Sequence, residues 1–261
     1  MASAIRALKR RVGMHALAPE AVFRAYLSLK AGRFDPETRP SAKRANTTLG
    51  SVAEWKDTVE EIRRLGLFPH PDPPKNWDAL AALDFALRET DGRAAVLDAG
   101  GDVFSPLLPW LCMYGHRDLH AINLIFPRSF VRGPITYTLG DITRYPYEDG
   151  RFDVVACLSV LEHGVDPSAF LRDTHRILKP GGLLVVSCDY SPEPIDTRGR
   201  SAYGVPVHVF HRTEIESILA EADSIGLRPT TDVVLDCEAS PVRWERMDLD
   251  FTFLLLALRK T

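Results

Sequence analysis

Little in this 261-residue chain points to a membrane, an oxidising compartment or a metal. The four cysteines, Cys112, Cys157, Cys188 and Cys237, stand far apart with no CxxC pair, so neither a zinc site nor a disulfide framework is expected. Two of them fall in apolar runs, where a thiol acts as a small buried hydrophobe in a reducing compartment. No apolar run reaches transmembrane length, and Met1 to Arg11 lacks the apolar core of a signal peptide. The expectation is a cytoplasmic protein with no membrane partner. Charge of one sign is missing as well: 32 basic residues against 35 acidic ones leave a formal charge of -3, which makes no electrostatic case for nucleic acid. A metal site built from Asp189, His208 and His211 has no known ligand spacing behind it, so no metal is expected.

What is present is 45% hydrophobic and 26% charged residues, enough to bury a sizeable core. The first stretch, Met1 to Arg44, is basic, with Arg6, Lys9, Arg10, Arg11 and Arg33 among its charges. No aromatic stacking platform accompanies them, so the stretch reads as a solvated face rather than an RNA patch. Ala18 to Leu29 has helical periodicity, with Ala21, Val22, Ala25, Tyr26 and Leu29 on one side. Ser51-Val52-Ala53-Glu54 is a capping-box signature opening a helix to Leu65, which stops at Gly66. Pro69, Pro71, Pro73 and Pro74 then interrupt the chain, and Asn76 or Asp78 is positioned to cap a further helix through Leu87. Residues 1–75 are accordingly expected to be a helical extension or lid, and residues 76–261 a separate α/β domain.

That domain begins with Ala94 to Leu97, an apolar strand running into Asp98-Ala99-Gly100-Gly101-Asp102. Glycines at such a bend let the backbone turn tightly and approach a ligand, and strand ends of this kind are where open α/β sheets bind theirs. Further strands are expected at Leu119 to Ile122, ending at Asn123, and at Ile135 to Thr138, running into Gly140-Asp141-Ile142. Another covers Arg151 to Ser159, followed by Val160-Leu161-Glu162-His163. After a helix and the Leu178-Lys179-Pro180-Gly181-Gly182 turn comes Leu183 to Cys188, ending in Asp189-Tyr190. Strands alternating with helices imply parallel pairing with helices on both faces. Thr231 to Leu235 and Phe251 to Leu258 read as two last strands.

These five phrases, in this order and spacing over residues 92 to 190, resemble the class I S-adenosylmethionine-dependent methyltransferases of the small-molecule group. The resemblance implies a Rossmann-like α/β fold: a seven-stranded, mostly parallel sheet with helices on both faces, here with an N-terminal helical appendage. It implies S-adenosyl-L-methionine as cofactor and methyl transfer to an oxygen or nitrogen of a small-molecule acceptor. Asp98, Gly100 and Gly101 would lie beside the methionine moiety, Asn123 at the ribose, Asp141 and Ile142 at the adenine, and Leu158 and Ser159 at the sulfonium. His163, at the start of the helix after the fourth strand, and His208 are candidate bases, with Asp189, Tyr190 and His211 lining the acceptor pocket.

The sequence departs from the family pattern at two points. Asp102 and Phe104 stand where glycines are expected. Asn123 replaces the acid that accepts the ribose hydroxyls, turning a charge-assisted bond into an ordinary one of about half the strength. Two further readings stay open: a methyltransferase acting on RNA or protein, from the basic start, and a non-catalytic binding protein of the same fold, from Asn123 and Asp102.

Overall fold

The structure, a computed structural model, describes residues 19–30, 38–43, 45–202 and 204–261. Most of the basic N-terminal charges, Arg6, Lys9, Arg10, Arg11 and Arg33 among them, lie outside the described residues. Elements in order are α1 (Glu20–Lys30), β1 (Thr47–Thr48), α2 (Val52–Arg64), α3 (Asn76–Glu89), β2 (Ala95–Ala99), α4 (Leu107–Met113), β3 (Asp118–Asn123), β4 (Phe130–Arg132), β5 (Ile135–Leu139), β6 (Phe152–Leu158), α5 (Pro167–Ile177) and β7 (Leu178–Ser191). There follow β8 (Ser201–Ala202), β9 (Val205–Pro206), β10 (Phe210–His211), α6 (Arg212–Ser224), β11 (Leu227–Pro229), β12 (Val242–Trp244) and β13 (Leu249–Lys260).

The main sheet runs β1-β13-β7-β6-β2-β3-β5-β4, with β10 added to β7 and with β11 and β12 added to β13. The pairs β2–β3, β2–β6, β3–β5 and β6–β7 are parallel, and β13 is antiparallel to β7. A core of β5, β3, β2, β6, β7, β13 and β11 supplies the expected seven strands, and short strands extend it to eleven. β2 is buried along its whole length, and β6 and the centre of β7 nearly so, as a sheet covered on both faces requires.

Alternation along the strands divides the interior in two. Val96, Val154, Ala156, Leu183, Val185 and Leu255 face a cluster that also holds Phe23, Ile62, Leu80 and Trp110, from α1 to α4. Leu97, Val155, Cys157, Leu184, Val186 and Leu254 face the other, with Phe170 of α5 and Ile215 of α6. The extension therefore packs on one face of the sheet, and it also enters the sheet. Thr47 and Thr48 pair with Leu255 and Leu254, and Asn46 Oδ1 accepts the Ala257 N–H at 2.8 Å.

Several local expectations are corrected. On α1 the buried residues are Phe23 and Leu27, whereas Ala21, Val22 and Ala25 are exposed. Aromatic and leucine burial, spaced by four, outweighs the weaker alanine–valine stripe. Ser51 caps α2, accepting the Glu54 N–H at 3.2 Å, but Glu54 reaches back to the Gly50 N–H at 2.9 Å and takes the Trp77 indole N–H at 2.6 Å. Asn76 caps nothing. Fully buried, it pins the proline-rich turn, its Oδ1 accepting the His70 N–H and its Nδ2 donating to the carbonyls of His70 and Pro73. Gly181 and Gly182 lie inside β7, at a register shift opposite Phe152 and Val154. The strand expected at Thr231 to Leu235 forms earlier, at β11, while Val234 and Leu235 serve as loop partners of Asn46 and Tyr190.

Candidate functional site

The parallel ladders fix which strand tips adjoin. Asp98 pairs with Ala121 and with Ala156, Asn123 with Leu139, and Leu158 with Ser187. Asp98, Asn123, the Gly140–Ile142 bend, Ser159 and Asp189 are thereby lined up along one edge of the sheet.

The loop after β2 is held by bonds that the sequence did not announce. Gly100, at φ +86°, donates its N–H to Ile122 O at 2.8 Å. A Cβ there would sit 2.5 Å from a Val160 methyl, and one on Gly101 would sit 2.2 Å from Asp98 Oδ2. The loop thus folds directly around the Asp98 carboxyl. Asp102, in place of a glycine, builds an Asx turn: its Oδ1 accepts the N–H groups of Phe104 at 2.6 Å and Ser105 at 2.8 Å. Side-chain bonding here replaces backbone freedom. Asp98 is almost wholly buried, and burial, then Asp102 and Asp78, push its carboxyl up to about 7.

Asn123 is committed to the same loop. Its Nδ2 donates to Gly100 O at 2.5 Å and its Oδ1 accepts the Ile125 N–H at 3.1 Å. An aspartate could not make the first of these bonds and would set a carboxylate oxygen against a carbonyl. Asn123→Asp is therefore expected to lower stability by about 1–3 kcal/mol without tightening nucleoside binding. Thermal melts and a titration check this, and a variant that is as stable as the parent and binds better contradicts it. Beside Asn123, Leu124 and Ile125 are 67% and 69% exposed, and Leu139 is 43% exposed. They form an apolar rim at the tips of β3 and β5. Asp141 is exposed and closes its own turn onto the Thr143 N–H and hydroxyl, while Ile142 is buried beneath it.

At the β6–β7 end the site is acidic. Ser159, at φ +52°, donates its N–H to Ser187 O and Oγ. Asp78, in the first turn of α3, is buried and accepts the hydroxyls of Ser187 at 2.6 Å and Ser159 at 3.3 Å, and its own neighbour's N–H, that of Ala79. Glu162 and Asp189 are also buried and close enough for each to act on the other's ionisation. Burial raises both carboxyls, Glu162 to about 7 and Asp189 well above the usual range. The Lys75 ammonium faces Glu162, Asp189 and Asp78, and their attraction outweighs its desolvation to hold its pKa up. In the sequence Asp78 reads only as a helix cap and Glu162 only as part of the Val160–His163 phrase, and Lys75 is not singled out, since acids at a helix start and in a post-strand turn look like surface residues.

His163 is corrected: it lies in the turn at residues 161–164, with α5 beginning only at Pro167. Burial, then Lys75, lowers its imidazole pKa, favouring the neutral base form. His208 and His211 flank Glu214 at 3.3 and 3.5 Å, and Glu214 accepts the His211 N–H as α6 opens. They reach the rim through β10, which pairs in parallel with Tyr190 and Ser191 of β7 just beyond the level where β6 ends. Tyr190 itself is buried, donating its hydroxyl to Leu235 O at 2.8 Å, so it braces the loop rather than lining an open pocket. A cavity of about 520 Å³ lies elsewhere, between the Ala42–Gly50 segment, Trp77 and Cys237. Among the described residues no cluster is arranged to hold a metal ion, and no helix is long and apolar enough to cross a membrane.

Comparison with known proteins shows what the chain is similar to. Residues 116–186, from the start of β3 to the middle of β7, match the family model described as a methyltransferase domain. The chain is 50% identical over 52 residues to a demethylmenaquinone methyltransferase of Mycolicibacterium gilvum, over 20% of this chain and 22% of that protein. It is 53% identical over 38 residues to a ubiquinone biosynthesis O-methyltransferase of Pseudomonas paraeruginosa, over 15% of this chain and 16% of that protein. The matches thus span about a fifth of these relatives. A solved S-adenosylmethionine-dependent methyltransferase from Mesorhizobium loti superposes with a TM-score of 0.51 at 21% identity, over 71% of this chain and 97% of that one. The fold is that of this solved methyltransferase, and residues 116–186 are similar to a methyltransferase domain.

Proposed function

We propose that the protein is an S-adenosylmethionine-dependent methyltransferase acting on an oxygen or nitrogen of a small molecule. The observation that carries this reading is the loop after β2. Gly101 leaves no room for a Cβ beside Asp98, and the loop stands at the adjoining tips of β2, β3 and β6. Such a cradle fits the amino-acid end of the cofactor, and the Leu124, Ile125 and Leu139 rim fits a planar base. Asn123 fits less well as a ribose acceptor, because its amide already holds the loop.

The bound cofactor would supply a methyl group already activated by its sulfonium, so the protein's own work is to position the acceptor and to take its proton. Leu158 and Ser159, with Asp189 and the turn bearing His163, are the residues that would hold that acceptor, beside the excursion between β7 and β10. Val205 of that excursion lies 3.3 Å from where a Cβ on Gly164 would sit, so it covers the turn closely. His163 is the candidate base.

Calorimetric titration with S-adenosylhomocysteine is expected to show binding in the micromolar range. Absence of heat at millimolar ligand would overturn the reading. One observation favours a second: an amide clamped into the loop at the ribose position suits a methyltransferase-fold protein that binds a ligand without methylating. Binding of S-adenosylhomocysteine with no transfer to any acceptor is the outcome expected of that alternative.

A further inference from the structure

The carboxyl groups at the β6–β7 end outnumber what a methyl-transfer site needs for a single proton transfer. Asp78, Glu162 and Asp189 are each at most 6% exposed, and they stand on three elements: the start of α3, the turn after β6 and the end of β7. Asp78 is satisfied by two serine hydroxyls and a backbone N–H. Glu162 is not: its Oε2 is buried with no hydrogen-bond partner. A buried carboxylate oxygen without a donor is costly unless something arrives to meet it. The facing cation, Lys75, forms neither an ion pair nor a hydrogen bond with any described residue, although it interacts at longer range with all three acids.

We propose that Glu162 and Asp189, backed by Asp78, form a site for a positively charged ligand group, and that the group is the cofactor's sulfonium. The proposal rests on the methyltransferase reading and deepens it. Sulfonium loses its charge when the methyl group leaves, so this site would hold S-adenosylmethionine more firmly than S-adenosylhomocysteine and favour exchange of spent cofactor.

The charge accounting follows from the neighbours. Lys75 and Asp72 face the cluster from the segment before α3, Asp78 from α3 itself, and His163 from the turn after β6. Asp98 stands on the next strand, with Asp102 beside it. Cys157 and Cys188 lie beneath and stay protonated, burial raising both thiols well above their usual range. One ammonium therefore opposes several carboxyls, and burial together with their mutual repulsion raises the pKa of both Glu162 and Asp189. An arriving cation favours the ionised acids, so any proton on Glu162 leaves to solvent, and binding of the cation strengthens as pH rises through about 7. Both ligands carry the same ammonium and carboxylate, so their ratio isolates the sulfonium.

The test is calorimetric titration of the full chain with S-adenosylmethionine and, separately, S-adenosylhomocysteine at pH 6 and pH 8, in two buffers of different ionisation heat. The affinity ratio in favour of S-adenosylmethionine is expected to rise about three- to tenfold from pH 6 to pH 8, with more protons released for that ligand. Glu162→Gln and Asp189→Asn should each flatten the ratio while S-adenosylhomocysteine still binds. An unchanged ratio in the parent protein, with S-adenosylhomocysteine bound, overturns the proposal and leaves the methyltransferase reading standing. Failure of both ligands to bind overturns both.

Discussion

Gly101→Ala is expected to reduce S-adenosylhomocysteine affinity by at least about a hundredfold, the scale of loss that displacement by about 1 Å produces in a positioned site. The added methyl would lie 2.2 Å from Asp98 Oδ2, 2.3 Å from its carboxyl carbon and 2.8 Å from Oδ1. Asp98 cannot step aside easily: its side chain is short, almost fully buried, and fixed at the end of a strand paired on both sides. Either the carboxyl or the loop must move, and the overpacking itself costs about 1–3 kcal/mol. Gly150→Ala is the control. Nothing lies within 4 Å of a Cβ there, and only the left-handed backbone, φ +64°, opposes the substitution, at about 1–2 kcal/mol. Gly150→Ala should be less stable yet bind normally. A Gly101→Ala protein that binds as the parent does would remove the loop from the site.

The largest effect on stability is expected at Asn46. The residue is completely buried at φ +56°, a conformation that asparagine tolerates far better than alanine. Its Oδ1 takes the Ala257 N–H from the middle of β13, and its Nδ2 donates to both Thr231 O and Thr231 Oγ1 at 3.0 Å. Its own carbonyl accepts the Val234 N–H at 2.8 Å. Asn46→Ala leaves a buried donor and two acceptors unmet and adds backbone strain. A loss of about 2–5 kcal/mol follows from roughly 1–3 for the unmet buried Ala257 N–H and about 1–2 for the left-handed backbone, Thr231 being exposed to water. Urea unfolding should show the midpoint falling with little change in slope. A loss below about 1 kcal/mol would mean that water or a rearranged loop satisfies these groups.

The core strands were legible because they are apolar runs bounded by glycine, proline or acid, and burial on both faces leaves such runs few other uses. Asp98, Asn123 and Asp141 were legible for a related reason: a polar residue ending an apolar strand must emerge at a sheet tip. What could not be read was how those side chains would be used. Asn123 looks like a weakened ribose ligand until its amide is seen on Gly100 O, and Asp102 looks like a lost glycine until its turn is seen. Asp78 carries the helical start signal that a capping residue carries, and only tertiary packing sets it against Ser159 and Ser187. Thr231 to Leu235 has a strand's composition, but Gly226 turns the chain early enough for Leu227 to take the place opposite Lys260.

The bond between Asn46 and Ala257 spans 211 residues, and Thr47 and Thr48 pair with Leu255 and Leu254. During synthesis, residues 46–48 must therefore wait for the chain 211 residues further on before they find their neighbour. Until β13 emerges, the flank of β7 that it will occupy is a bare edge of apolar residues, the kind that recruits a second chain. The strand that closes this flank, β13, is the one that shields the nascent molecule from its own copies.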